Sequence, residues 1–183
     1  MSDSAPASKP PPAGLPPDVQ AQTMGVAFFD LSRFDEWTSS EQDAQVAAFL
    51  KQFYALAAEH VEPHGGRIVK FMGDAGLVVF PKDKAQDTIL ALCAFTQGAR
   101  ACARSFGFDA YLNVNIHVGP VLAGSFGAPG AERFDVIGKT VNIAARLGRR
   151  GVTLSPQAFR CLDEEARRRF EKITRPITYS LRR

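Results

Sequence analysis

The chain has few of the residues that staple or label a fold: three cysteines, three histidines and one tryptophan in 183 residues. Cys93, Cys102 and Cys161 are widely spaced, with no Cys-x-x-Cys pair and no histidine at a zinc-ligand interval. That excludes a disulfide framework and a zinc finger, and reads as free thiols in a reducing compartment, the cytoplasm. A strong charge imbalance is also missing. The net charge of +3 is too small to argue for nucleic acid, and the basic residues form only pairs and triples such as Arg167–Arg169. No apolar run approaches the ~20 residues of a membrane span, so no transmembrane segment is expected, and the N-terminus has no charged-then-apolar signal pattern. What remains, 45% hydrophobic and 22% charged residues, is the balance of a globular domain.

Residues 1–22 hold six prolines and almost no bulky apolar side chain. The expectation is an extended, disordered arm, whether tether, docking motif or plain tail, ahead of one folded domain over 23–183. In that domain "MGVAFFDL" (24–31) reads as a buried strand. "SSEQDAQVAAFLKQFYALAAEHV" (39–61) reads as an amphipathic helix, with Ser39 and Gln42 as a capping box and "PHGG" as its stop. "RIVKFM" and "GLVVF" flank Gly73-Asp74 as a hairpin. A second helix covers roughly 84–105. "YLNVNIHVG" alternates, with Leu112, Val114, Ile116 and Val118 against Asn113, Asn115 and His117, which predicts a half-buried strand. Gly119-Pro120 reads as a turn into "VLAGSFG". A strand, a turn and a helix from near Thr140 follow, then "GVTLS", a short helix at 156–160 and a strand near 177–182. The order β-α-β-β-α-β predicts an α/β (α+β) ferredoxin-like core with C-terminal additions.

Three groups of side chains carry candidate chemistry. Asp30 closes the first strand and Asp74 tips the hairpin, and neighbouring strands bring both carboxylates toward one point. Two carboxylates plus a phosphate-bearing ligand are the usual way to hold Mg²⁺. Taken singly, each is equally well a turn or capping aspartate. In "FDVIGKTVNIAAR" (134–146), Asn142 and Arg146 lie four apart on one helix face and can hold an anion, or serve as a solvated face. The loop after Asp30 leads into a helix N-terminus suited to phosphate but has no glycine. His117 reads as a packed or hydrogen-bonded strand residue.

"FFDLSRF", "GGRIVKFMGDAGLVVF", "NIHVGPVLAGSFG" and "FDVIGKTVNIAAR", in that order from Met24 to Arg146, resemble the catalytic domain of the class III nucleotide cyclases. The resemblance implies a homodimer with two shared sites, ATP as substrate, and two Mg²⁺ or Mn²⁺ ions per site held by Asp30, Asp74 and the Leu31 carbonyl. It implies that Asn142 orients the ribose, that Arg146 stabilises the α-phosphoryl charge, and that Lys70 and Asp135 read the base. A Lys donor beside an Asp acceptor suits adenine, whose edge offers an amino donor beside a ring-nitrogen acceptor. Guanylyl cyclases carry an acidic residue at the first place and usually a small thiol or hydroxyl residue at the second. Nothing in the residues identifies a regulatory partner.

The chain also departs from the family. Arg33 and Asp35 stand where a glycine and a Thr or Ser are common, and Asn113 stands where an arginine for the terminal phosphates is usual. Lys172 is a candidate remaining phosphate contact. The reading is an adenylyl cyclase; its rivals are a cyclase-like dimerisation or nucleotide-binding module with little turnover, and a guanylyl cyclase.

Overall fold

The computed structural model describes residues 14–148 and 151–182. Its frame is one eight-stranded sheet. Strand β1 (Gln20–Leu31) runs through the middle, between β3 (Ala75–Pro81) and β4 (Leu112–Phe126), antiparallel to both. Strand β2 (Arg67–Met72) pairs with β3 at one edge. This β2-β3-β1-β4 order, with helix α2 (Asp43–Val61) after β1 and helix α3 (Ala85–Ser105) after β3, is the expected ferredoxin-like core. The C-terminal additions extend it beyond β4: β6 (Val152–Leu154) joins in parallel, then β8 (Ile177–Leu181) and β7 (Phe170–Thr174), while β5 (Arg133–Ile137) pairs with the far half of β4.

Period-2 alternation divides the strands between two faces. Ala27, Phe29 and Leu31 of β1, Val78 and Phe80 of β3, and Leu112, Val114 and Ile116 of β4 form the main core under α2 and α3. These helices bury the stripes Phe49-Phe53-Ala57-Val61 and Ile89-Leu92-Ala99, at the three- and four-residue spacing of an amphipathic helix or its multiples. On the opposite face Met24, Val26, Leu77, Val79, Val121, Ala123 and Val136 pack with Ala144 of α4 (Lys139–Ala145). Phe29 lies flat on Gly76, its cross-strand partner, where a Cβ would sit 2.2 Å from the ring. Any side chain at 76 would push that ring out of the core. The three cysteines are free, and burial pushes Cys93 up to about 11, which leaves its thiol inert at neutral pH.

Several expectations are corrected. Gly119-Pro120 is not a turn: β4 runs unbroken from Leu112 to Phe126, because Pro120 falls where β4 changes outer partner from β6 to β5. A missing N–H is tolerated at that gap. Ser39 and Gln42 form no capping box. Ser39 ends a short helix, α1 (Phe34–Thr38), and its hydroxyl donates to the Asp35 carbonyl at 2.7 Å, while Gln42 caps α2 with no side-chain bond. β1 starts at Gln20, three residues before the expected boundary at Thr23, paired with Ala123. The first thirteen residues of the proline-rich arm lie outside the described residues. α5 (Pro156–Phe159) matches the expected short helix, whereas α6 (Glu164–Arg167) and β7 carried no periodic signal.

β4 is buried on both faces, not half-buried. Its polar row is hydrogen-bonded to the chain that covers it. Asn113 Oδ1 accepts from Gly151 N at 3.3 Å, Asn115 Nδ2 donates to Gly148 O at 2.7 Å, and His117 Nδ1 meets Ser155 Oγ at 2.9 Å. These bonds hold Gly148, Gly151 and Ser155 to β4, while Asn115 Oδ1 is buried with no hydrogen-bond partner among the described residues.

Candidate active site

The site residues form three groups. The first lies where β1 ends beside the β2–β3 turn. Met72 pairs with Ala75, so Gly73 and Asp74 make a two-residue loop, with Gly73 at φ 65° where only glycine is unstrained. This aims Asp74 back at β1, and Leu31 N donates to Asp74 Oδ2 at 3.2 Å. Asp30, one residue before, sits opposite Asn113. Burial pushes the Asp74 carboxyl up from the ordinary carboxylate range, and the charges of Asp30 and Asp35 push it the same way. The backbone N–H groups of Asp74 and Leu31 pull it partly back. Half-buried carboxylates that repel one another are a donor set that a hard divalent cation relieves. Among the described residues no three His, Cys, Asp or Glu side chains form a complete metal cage. A divalent cation at these carboxylates would need further oxygen donors.

The second group is Lys70 with Asp135. The β4–β5 arm folds over the sheet face, so Phe134 lies under the Arg67 guanidinium, 3.7 Å from ring centre to Cζ, and Asp135 meets Lys70. Lys70 Nζ donates to Asp135 Oδ2 at 2.5 Å, and Asp135 Oδ1 accepts from Val136 N at 2.9 Å. Both side chains remain partly exposed, at 44% and 29%, so a further ligand can reach the pair.

The third group is Asn142 and Arg146, on and just after α4. They line a cleft of about 550 Å³ together with His117, Lys139, Gln157 and Ile177. Thr140, on the inner side of α4, donates to the Pro120 carbonyl at 2.7 Å and fixes the helix to β4. Burial pushes the His117 imidazole down, so it stays neutral near pH 7. Neither Asp30 nor Asp74 lines this cleft. Within one chain the carboxylate group and the Asn142–Arg146 group are thus separate.

The departures take definite places. Arg33 adopts φ 64°, its guanidinium bonded to Glu36 at 2.8 Å. Asn113 is buried and engaged with Gly151. Lys172 lies exposed on the edge strand β7, outside the cleft lining. Sequence reasoning missed the residues that hold the first group in place: Tyr54 on α2, and Tyr111, whose N–H and C=O both bond Ser32. Backbone contacts of this kind leave no pattern in a single sequence.

The profile of the adenylate and guanylate cyclase catalytic domain matches residues 18–178. The chain belongs to this family. Among relatives of the cyclase domain, an uncharacterized protein of Mycobacterium tuberculosis is 32% identical over 162 residues, 80% of this chain and 28% of its own length. A second from the same species is 32% identical over 129 residues, 67% of this chain and 23% of its own length. The chain thus spans about a quarter of the length of the curated relatives it matches. The fold is that of the guanylyl cyclase Cya2, with TM-score 0.79, 18% identity, and 90% of this chain and 93% of that one covered. It is equally that of the adenylyl cyclase CyaB from P. aeruginosa, with TM-score 0.76, 20% identity, and 91% and 96% covered. Solved neighbours of both base specificities share this fold, so the fold does not choose the base.

Proposed function

We propose that this cyclase domain converts ATP to 3′,5′-cyclic AMP and pyrophosphate at two sites shared across a homodimer. The single observation that carries the adenine assignment is the pairing of Lys70 with Asp135. Lys70 has three N–H donors and gives one to Asp135, leaving a donor for the adenine ring nitrogen. The Asp135 carboxylate keeps lone pairs for the 6-amino group. Guanine would set its ring N–H against the ammonium, which has no acceptor.

Asp30, Asp74 and the Leu31 carbonyl would hold Mg²⁺ or Mn²⁺, two ions per site, which acidify the ribose 3′-hydroxyl and neutralise the phosphates when bound. Asn142 orients the ribose. Arg146 offsets the charge that grows on the α-phosphoryl oxygens as the bond from O3′ to phosphorus forms and the bond to the β-phosphate breaks. The 3′ proton passes to solvent without a protein general base. The separation of the carboxylate group from Asn142 and Arg146 supports a site completed by a second copy, with each chain giving both halves.

A second reading, a nucleotide-binding module with little turnover, is favoured by Asn113 and Arg33. Both are engaged within the protein, with Gly151 and Glu36, rather than held ready for phosphate. The test is product analysis with ATP or GTP, with Mg²⁺ or Mn²⁺, at several protein concentrations, using Asp74→Ala as control. Cyclic AMP formed more than linearly with protein, and lost in the variant, is the expected result. ATP binding without any cyclic product from a folded dimer would establish the binding module instead.

A further inference from the structure

The carboxylate of Asp74 stands on a two-residue turn at the sheet edge, the kind of place where chains are mobile. Two hydrogen bonds tie this turn to the body of the domain. One is the Leu31 N–H to Asp74 itself; the other comes from α2, where Tyr54 Oη donates to the Gly73 carbonyl at 2.7 Å. The Tyr54 ring stacks on Phe71, with centroids 3.8 Å apart and planes 11° from parallel. Phe71 in turn packs against Phe29 in the core, with centroids 6.3 Å apart. The Gly73 carbonyl belongs to the peptide plane that ends at the Asp74 nitrogen, so the phenol sets the tilt of the unit from which the carboxylate projects. Burial raises the Tyr54 phenol, and the Asp74 charge adds to this, so the hydroxyl keeps the proton it donates.

From this geometry we infer that Tyr54 is a positioning residue for the metal carboxylate: its hydroxyl, held by the stack on Phe71, fixes the Gly73–Asp74 turn in the orientation that Asp74 needs to bind a divalent cation. The inference rests on the proposed metal role of Asp74. It separates Tyr54 from an ordinary packing residue, because packing needs only the ring. The ring reaches Phe71; only the oxygen reaches Gly73.

The test uses Tyr54→Phe, which keeps the stack and loses the hydrogen bond, alongside Asp74→Asn. Free Mn²⁺ is counted by electron paramagnetic resonance in titrations of the full chain without nucleotide, whose phosphates would themselves take up the ion. One hydrogen bond of this kind corresponds to about a five-fold change in an equilibrium. The expected result is Mn²⁺ affinity some five-fold weaker in Tyr54→Phe, a melting temperature close to that of the parent, and an unchanged KM for ATP at saturating metal. Mn²⁺ affinity equal to the parent's would overturn the inference. If the parent itself binds Mn²⁺ no better than Asp74→Asn does, the metal role of Asp74 fails, and the inference with it. The Asp74 comparison tells these two failures apart.

Discussion

Lys70 on β2 and Asp135 on β5 meet at 2.5 Å across 65 residues of sequence, so each holds the other in place, and the proposed function makes this pair the reader of the purine edge. Because the pair is partly exposed, its worth to stability is under about 1 kcal/mol. Its worth to recognition is greater. Lys70→Ala should lower kcat/KM for ATP by about 10- to 100-fold, the cost of one charged hydrogen bond, with little change in melting temperature. The paired exchange Lys70→Glu with Asp135→Ser offers guanine an acceptor and a small donor, and should raise the ratio of GTP to ATP turnover. Competition between the two nucleotides, read by product chromatography, measures that ratio. An unchanged ratio would remove this pair from base recognition.

Asp74→Asn should separate stability from activity. The native carboxyl is raised above its ordinary value, so at neutral pH the folded state carries a charge it would rather lose. The sign follows from linkage: a raised carboxyl pKa destabilises the fold at pH values above it, and the penalty fades as pH falls toward the unfolded value of about 3.8. Asparagine keeps an oxygen to accept the Leu31 N–H. The metal-free variant should therefore melt higher than the parent at pH 7–8, with the gap closing near pH 4, while losing cyclase activity. Calorimetry across that range, with chelator present, checks it.

Arg146→Ala should act on kcat and spare KM. The side chain is exposed in a cleft and makes no ion pair among the described residues, so its loss leaves folding nearly untouched. An arginine that meets charge only as the bond to phosphorus forms is worth about 10²- to 10³-fold in rate. Steady-state kinetics decide it. A KM rise with kcat preserved would make Arg146 a ground-state phosphate contact instead.

The core of the fold was legible in the sequence because its elements are long and periodic. The stripe from Phe49 to Val61 and the apolar run from Met24 admit one reading each. Gly119-Pro120 misled because a glycine-proline pair is local turn chemistry, whereas Pro120 is placed by a partner exchange between β5 and β6 that only the assembled sheet defines. The Asn113-Asn115-His117 row misled for a similar reason: alternation reports two faces, and the polar face is not wet, because Gly148, Gly151 and Ser155 bond to it. Asp30, Asp74, Asn142 and Arg146 stand out as candidates through their motifs alone. Tyr54 was not, since its role is a bond to a backbone carbonyl 19 residues away.

Arg33 and Asp35 should turn out to govern different quantities, one stability and the other ATP binding. Arg33 holds φ 64°, a conformation that costs a non-glycine residue about 1 kcal/mol or more. Its guanidinium bonds Glu36 and lies near Asp109 and Tyr111, so its charge is spent away from Asp74. Arg33→Gly should accordingly raise stability by about 1 kcal/mol, or roughly 2–4 °C in melting temperature for a chain of this size, and leave the ATP KM nearly unchanged. Asp35, unlike Arg33, has a charge that reaches Asp74, adding to that of Asp30. Asp35→Ser removes that repulsion from the carboxylate group and from any triphosphate brought to it. Its ATP KM should fall several-fold, with the difference shrinking at high salt as exposed charges are screened. If instead Arg33→Gly raises the ATP KM while Asp35→Ser leaves it alone, the guanidinium leaves Glu36 for the phosphates when nucleotide binds, and the loop is remodelled by its substrate.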